Sequence, residues 1–131
     1  MRVLISGDRN WDDPKPIAYI MEKIVTSYVG EVTFVHGLAK GADTMCDVIA
    51  KLHDYNVEGY PADWTKHGKA AGPIRNQEML DTLEPDSYDM VIGFHKDIQN
   101  SKGTKDMLTR SKKKGVKTLL YDGKDILPHA Y

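Results

Sequence analysis

MVIGFHKDIQNSKGTKDMLTRSKKKG, residues 90–115, reads as a buried strand, a polar loop, and a Gly-Thr step that opens a basic helix. Two earlier stretches end alike. Val3-Leu4-Ile5 runs into Ser6-Gly7-Asp8-Arg9, and Val32-Thr33-Phe34-Val35 runs into His36-Gly37 and then Lys40-Gly41-Ala42-Asp43. Three continuous apolar runs of this length fit strands covered on both faces. Each empties into a Gly-bearing loop rich in polar and charged side chains, and that repetition organises the chain.

Working outward, the pattern predicts strands over 2–6, 32–36, 56–60, 88–94 and 116–121. Pro14 and Pro16 suit a helix start, and Ile17, Ile20, Met21, Ile24, Val25 and Tyr28 recur at helical spacing as far as Gly30. Ala42, Met45, Val48, Ile49 and Leu52 mark a helix over 42–52, Pro73 opens another, and 103–114 form the last. Residues 61–72 read as a long irregular loop, and 122–131 as an edge or an ordered extension. Strands alternating with helices imply an α/β fold, one three-layer domain over 1–131 with a mainly parallel five-stranded sheet. With strand order 3-2-1-4-5, a ligand would lie beyond the carboxyl ends of strands one and four.

Composition bounds the chemistry. A chain of 131 residues supports one core without disulfides, and its single cysteine, Cys46, offers no Cys-based metal set. Net charge is −1, which gives nucleic acid no global attraction. Between Lys96 and Lys117, however, eight basic residues face two acidic ones, so an anion preference belongs there. No signal-peptide-like apolar region opens the chain and no apolar run approaches ~18 residues, so a cytoplasmic protein without membrane contact is the expectation. The glycine fingerprint of dinucleotide folds and the Gly-Lys-Ser/Thr P-loop are absent, as are the nucleophile elbow and paired metal-binding histidines. No metal site or cofactor is expected.

The loops then take candidate roles. Gly103-Thr104, after Lys102, places free helix-start N–H groups and a hydroxyl toward an anion, although Thr104 could equally cap the helix and Asp106 balance its dipole. Lys40 suits a phosphate, and Gly37 and Gly41 permit close backbone approach. Asp43 fits either a ribose hydroxyl or the first helical turn. After Gly7, Arg9 could hold a phosphate bidentately, with Asp8 as its ion-pair partner. Trp11 reads as lid, stacking face or core. Arg75 and Asn76 fall in the first turn of a helix, where an Arg needs an anion or carboxylate against the dipole. Trp64 and His67 read as structural or lid residues more readily than as catalysts, and His95, at the end of a strand, could contact ligand, although a satisfied, half-buried imidazole is the commoner case.

Taken together, Ser6–Trp11, His36–Asp43, Pro61–Trp64, Gly72–Asn76 and Ser101–Met107 resemble the YspA-like branch of the SLOG superfamily, which includes the Smf/DprA proteins and the LOG phosphoribohydrolases. The resemblance extends to about Tyr121. It implies a Rossmann-like domain that binds nucleotides or nucleotide derivatives and associates with copies of itself. In the LOG enzymes a Pro-Gly-Gly loop and Gly-Thr hold phosphate, and a Glu after Gly-Thr with an Arg removes base from ribose phosphate. This chain lacks Pro-Gly-Gly and carries Asp106 and Met107 after its Gly-Thr. Phosphate binding therefore carries over more directly than catalysis, for which Asp106 and Arg75 are the candidates. A third reading, a single-stranded nucleic-acid-binding module, rests on the Lys112-Lys113-Lys114 run.

Overall fold

Successive residues of the first strand, β1 (Arg2–Gly7), face opposite sides of the sheet, and this alternation divides the core in two. Val3 and Ile5 join one cluster and Leu4 the other. The same division runs through β2 (Thr33–His36), where Phe34 and Val35 point apart, and β4 (Met90–Phe94), where Val91 opposes Ile92. One face is covered by α1 (Pro14–Ser27) and α2 (Ala42–Leu52) through Ile17, Met21 and Cys46. On the other, Met79 and Leu80 of α4 (Ala71–Leu80) meet Met107 and Leu108 of α5 (Gly103–Lys114). The computed structural model describes residues 1–128. No helix among them is long and apolar enough to cross a membrane.

With β3 (Asn56–Gly59), β5 (Lys117–Tyr121) and β6 (Ile126–Leu127), the sheet runs β3-β2-β1-β4-β5-β6. The first five strands are parallel in the anticipated order 3-2-1-4-5. The strand count needs correction: the sheet is mixed and six-stranded, because β6 returns antiparallel onto β5. The Asp122 side chain accepts from the backbone N–H of Lys124 and Asp125 at 2.9 and 2.8 Å, which turns the chain back. A two-residue strand carries no readable alternation. The final three residues of the anticipated 122–131 extension lie outside the described residues.

The stretch expected to be irregular is largely helical. Asp63 accepts from Lys66 N at 3.0 Å and starts α3 (Trp64–His67), a 3-10 turn spans Gly68–Ala70, and α4 follows at once. Pro73 sits third in α4, within the first turn, where a missing N–H leaves no intrahelical bond unmade. Trp11 belongs to the core. It is 5% exposed, packs edge-on against Phe94 and Tyr121, and donates from Nε1 to the Asp13 carbonyl at 2.7 Å. At the other end of the sheet the Ser111 and Thr118 hydroxyls, 2.7 Å apart, tie α5 to β5.

Leu108 is fully buried beneath α5, and a Cβ on Gly93 would stand 3.0 Å from its Cδ1. With so little slack around it, Leu108→Ala is expected to cost about 2–5 kcal/mol, read as a lower urea midpoint at an unchanged denaturant slope.

Candidate functional site

Chain crossovers leave β1 and β4 in opposite directions, so the loops beyond their carboxyl ends part. Between them opens a cleft of about 650 Å³. Gly7, Asp8 and Arg9 line it from the β1 side, and His95, Lys102, Gly103 and Thr104 from the β4 side. The α3–α4 segment, anticipated as a loop, closes a third wall with Trp64, Lys69, Arg75 and Asn76. Asp43 and Asp106 also reach the surface of this cleft.

The start of α5 is organised by a residue the motif reading gave no role. Ser101 Oγ accepts from the backbone N–H of Thr104 and Lys105 at 3.2 and 3.3 Å, so Ser101 rather than Thr104 caps the helix. Thr104 is 4% exposed, its methyl over Gly93. A Ser three residues before Thr104 was the available signal.

Beneath the cleft runs a chain of polar contacts. Arg75 donates from Nη1 to the Gly37 carbonyl and from Nε to Asn76 Oδ1 at 3.2 Å. Asn76 in turn donates to Asp106 Oδ2 at 3.0 Å, and both Asp106 oxygens accept from Arg110 Nε at 2.9–3.0 Å. Arg110 reaches on to Gln77 Oε1 at 3.0 Å. Asp106 is thus held in a fixed orientation with a guanidinium against it. Burial draws the Arg75 guanidinium below its ordinary range; nearby Asp43 opposes the shift and nearby Arg9 adds to it.

The loop after β2 is turned inward. Asp43, 5% exposed, accepts from Gly37 N at 2.8 Å and from Ala39 N at 3.4 Å, so its own carboxylate fills this backbone nest in place of an external anion. The Asp8 carbonyl accepts from Ala42 N at 3.3 Å at the start of α2. Gly41, at φ +78°, is needed there for another reason: a Cβ would come within 2.2 Å of that same carbonyl. At Gly37 a Cβ would strike the Arg75 guanidinium at 2.6 Å. Gly37, Lys40 and Gly41 are absent from the cleft lining, whereas Gly7, Asp8, Arg9, Asp43, Arg75, Asn76, Lys102, Gly103, Thr104 and Asp106 come together in it.

Two histidines at strand ends share one geometry. His36 Nδ1 accepts from Leu38 N at 3.1 Å, and His95 Nδ1 accepts from Asp97 N at 3.0 Å. In the neutral ring the proton then sits on Nε2. For His36 that nitrogen meets Asp47 Oδ1 at 2.9 Å inside the protein. For His95 it faces Asp8 Oδ2 across 4.0 Å at the cleft, beyond hydrogen-bond reach. Among the described residues no group of three or more His, Cys, Asp or Glu side chains is placed to hold a metal ion.

Burial raises the Asp43 carboxyl above its ordinary range, against the pull of its N–H donors, His36 and Arg75. A raised native pKa means the folded state holds this proton more tightly than the unfolded chain does. The contribution of Asp43 to stability is therefore present below the unfolded value of about 3.9 and falls as pH rises through the native one. The stability difference between wild type and Asp43→Asn should decline from about pH 4 toward neutrality, which urea melts across that range would detect.

Residues 1–67, from β1 into α3, match the YspA, cpYpsA-related SLOG family. The chain is also similar to "Gene 61 protein" of Mycobacterium phage D29, 33% identical over 129 residues that span 94% of this chain and 98% of that protein. No solved structure matches it. A family match across half the chain and a relative alignable along nearly all of it place this protein in the YspA, cpYpsA-related SLOG family.

Proposed function

We propose that the cleft between β1 and β4 binds a nucleotide or a nucleotide-derived small molecule, with its phosphate toward Arg9 and Lys102. Family membership suggests nucleotide-related binding or processing. One observation carries the finer reading. Arg9 lies close enough to Arg75 to disfavour its charge, and none of Arg9, Lys69 and Lys102 enters an ion pair among the described residues. Cations gathered in a concave site without carboxylate partners are relieved by an anionic guest. His95 Nε2 and Asp8 Oδ2, a donor and an acceptor 4.0 Å apart, leave room for a ligand hydroxyl to bond both.

Calorimetric titration with nucleoside 5′-monophosphates tests the assignment. Arg9→Ala and Lys102→Ala should each weaken binding about 10- to 150-fold, the range of a lost charge-assisted hydrogen bond, while leaving the fold intact. Unchanged affinity in both variants would remove the phosphate assignment.

A second reading, hydrolysis of the bond between base and ribose phosphate, is favoured by the fixed Asp106 carboxylate. With Arg110 at 2.9 Å and Asn76 at 3.0 Å, that group suits stabilising positive charge at a ribosyl carbon better than delivering a proton. Arg75, linked to Asp106 through Asn76, would assist. Asp106→Asn should then abolish release of free base while nucleotide affinity stays nearly unchanged. Release at the parent rate would remove Asp106 from the chemistry.

A further inference from the structure

We propose that Trp64 is the residue that reads the base, so the cleft selects a ligand carrying an aromatic ring over a bare sugar phosphate. This inference rests on the nucleotide reading above and goes beyond it in naming the part of the ligand that sets specificity. The chain has two tryptophans, and they live differently. Trp11 is spent on the core, with two ring neighbours, a carbonyl for its N–H and Lys96 over its face. Trp64 is 51% exposed and lines the cleft. No ring contact, cation–π pair or indole hydrogen bond among the described residues involves it.

An indole left half in water forgoes about half of the stabilisation such a large ring can contribute. The backbone nevertheless fixes where it stands. Asp63 caps α3, and the Trp64 carbonyl accepts from Gly68 N. A Cβ at Gly72 would stand 3.5 Å from Cη2, an ordinary contact distance, so the glycine leaves that space beside the ring edge open. The wall that carries Trp64 is separate from the loops that carry Arg9 and Lys102. A ligand anchored by its phosphate on the loops has its other end free to meet this third wall. Every nucleobase offers a π face, and stacking on an indole tolerates the identity of the base.

The test uses three probes on the full chain: adenosine 5′-monophosphate, ribose 5-phosphate and inorganic phosphate. Binding is read by calorimetry and by tryptophan emission, in which the exposed indole is the one a ligand can reach. The nucleotide should bind more tightly than ribose 5-phosphate and quench emission, and ribose 5-phosphate should leave emission unchanged. Trp64→Leu should weaken the nucleotide roughly 5- to 150-fold, the range of one lost stack, without altering ribose 5-phosphate binding. Trp64→Phe should retain nucleotide affinity while abolishing the quench. Equal affinity for nucleotide and ribose 5-phosphate, or equal weakening of both in Trp64→Leu, overturns this inference and leaves the phosphate site standing. Failure of all three probes to bind overturns the nucleotide reading, and this inference with it.

Discussion

The parallel pairing of β1 with β4 is the constraint on which the site depends. Five register pairs from Val3–Met90 to Gly7–Phe94 bury both strands at the centre of the sheet, and Asp8 N continues the ladder to the Phe94 carbonyl at 2.9 Å. Because the chain leaves β1 toward β2 and leaves β4 toward β5, no crossover covers the carboxyl ends of this central pair. The cleft is a product of topology before any side chain is chosen.

What fills the rim is an electrostatic division of labour. Carboxylates on the β2 side are spent within the protein: Asp43 closes the Gly37–Ala39 turn, and Asp47 holds the buried His36. Arg9 on the β1 side, Lys69 in the 3-10 turn before α4 and Lys102 at the α5 start line the cleft instead. Arg75 links the two sets. Its guanidinium is anchored on the Gly37 carbonyl and on Asn76, and Asn76 in turn steadies Asp106. A change at Gly37 would therefore be felt at Asp106 through two intervening side chains, with no ligand contact of its own.

The same interlocking explains the glycines. Gly7 and Gly41 lie where the β1 and β2 loops cross, with Ala42 Cβ and the Asp8 carbonyl in the space a side chain would need. Their smallness serves the contact between loops, which sets the spacing of Asp8 and Arg9 on the cleft side. Interpreted from motifs alone, the same residues look like ligand-approach positions. Close backbone packing and close ligand approach place the same demand on sequence, and the demand does not reveal which of the two imposed it.

The sequence by itself determined the parallel α/β layering, because continuous apolar strands and helices of period 3.6 leave few alternatives, whereas the order 3-2-1-4-5 enters as an assumption that the assembled sheet bears out. It also located the Gly7–Arg9 and Lys102–Thr104 loops at one edge, and α5 over 103–114. Local signals reached no further. The short returning β6, the helical turn at Trp64 and the cap at Ser101 depend on side-chain-to-backbone bonds over two to four residues, too brief for periodicity to register. Only the tertiary structure decided that Asp43 looks inward, that Lys40 stays outside the cleft and that Trp64 stands half-exposed within it. Those outcomes turn on how the loops after β1 and β2 and the α3–α4 segment meet one another, and such meetings arise only once the sheet has assembled.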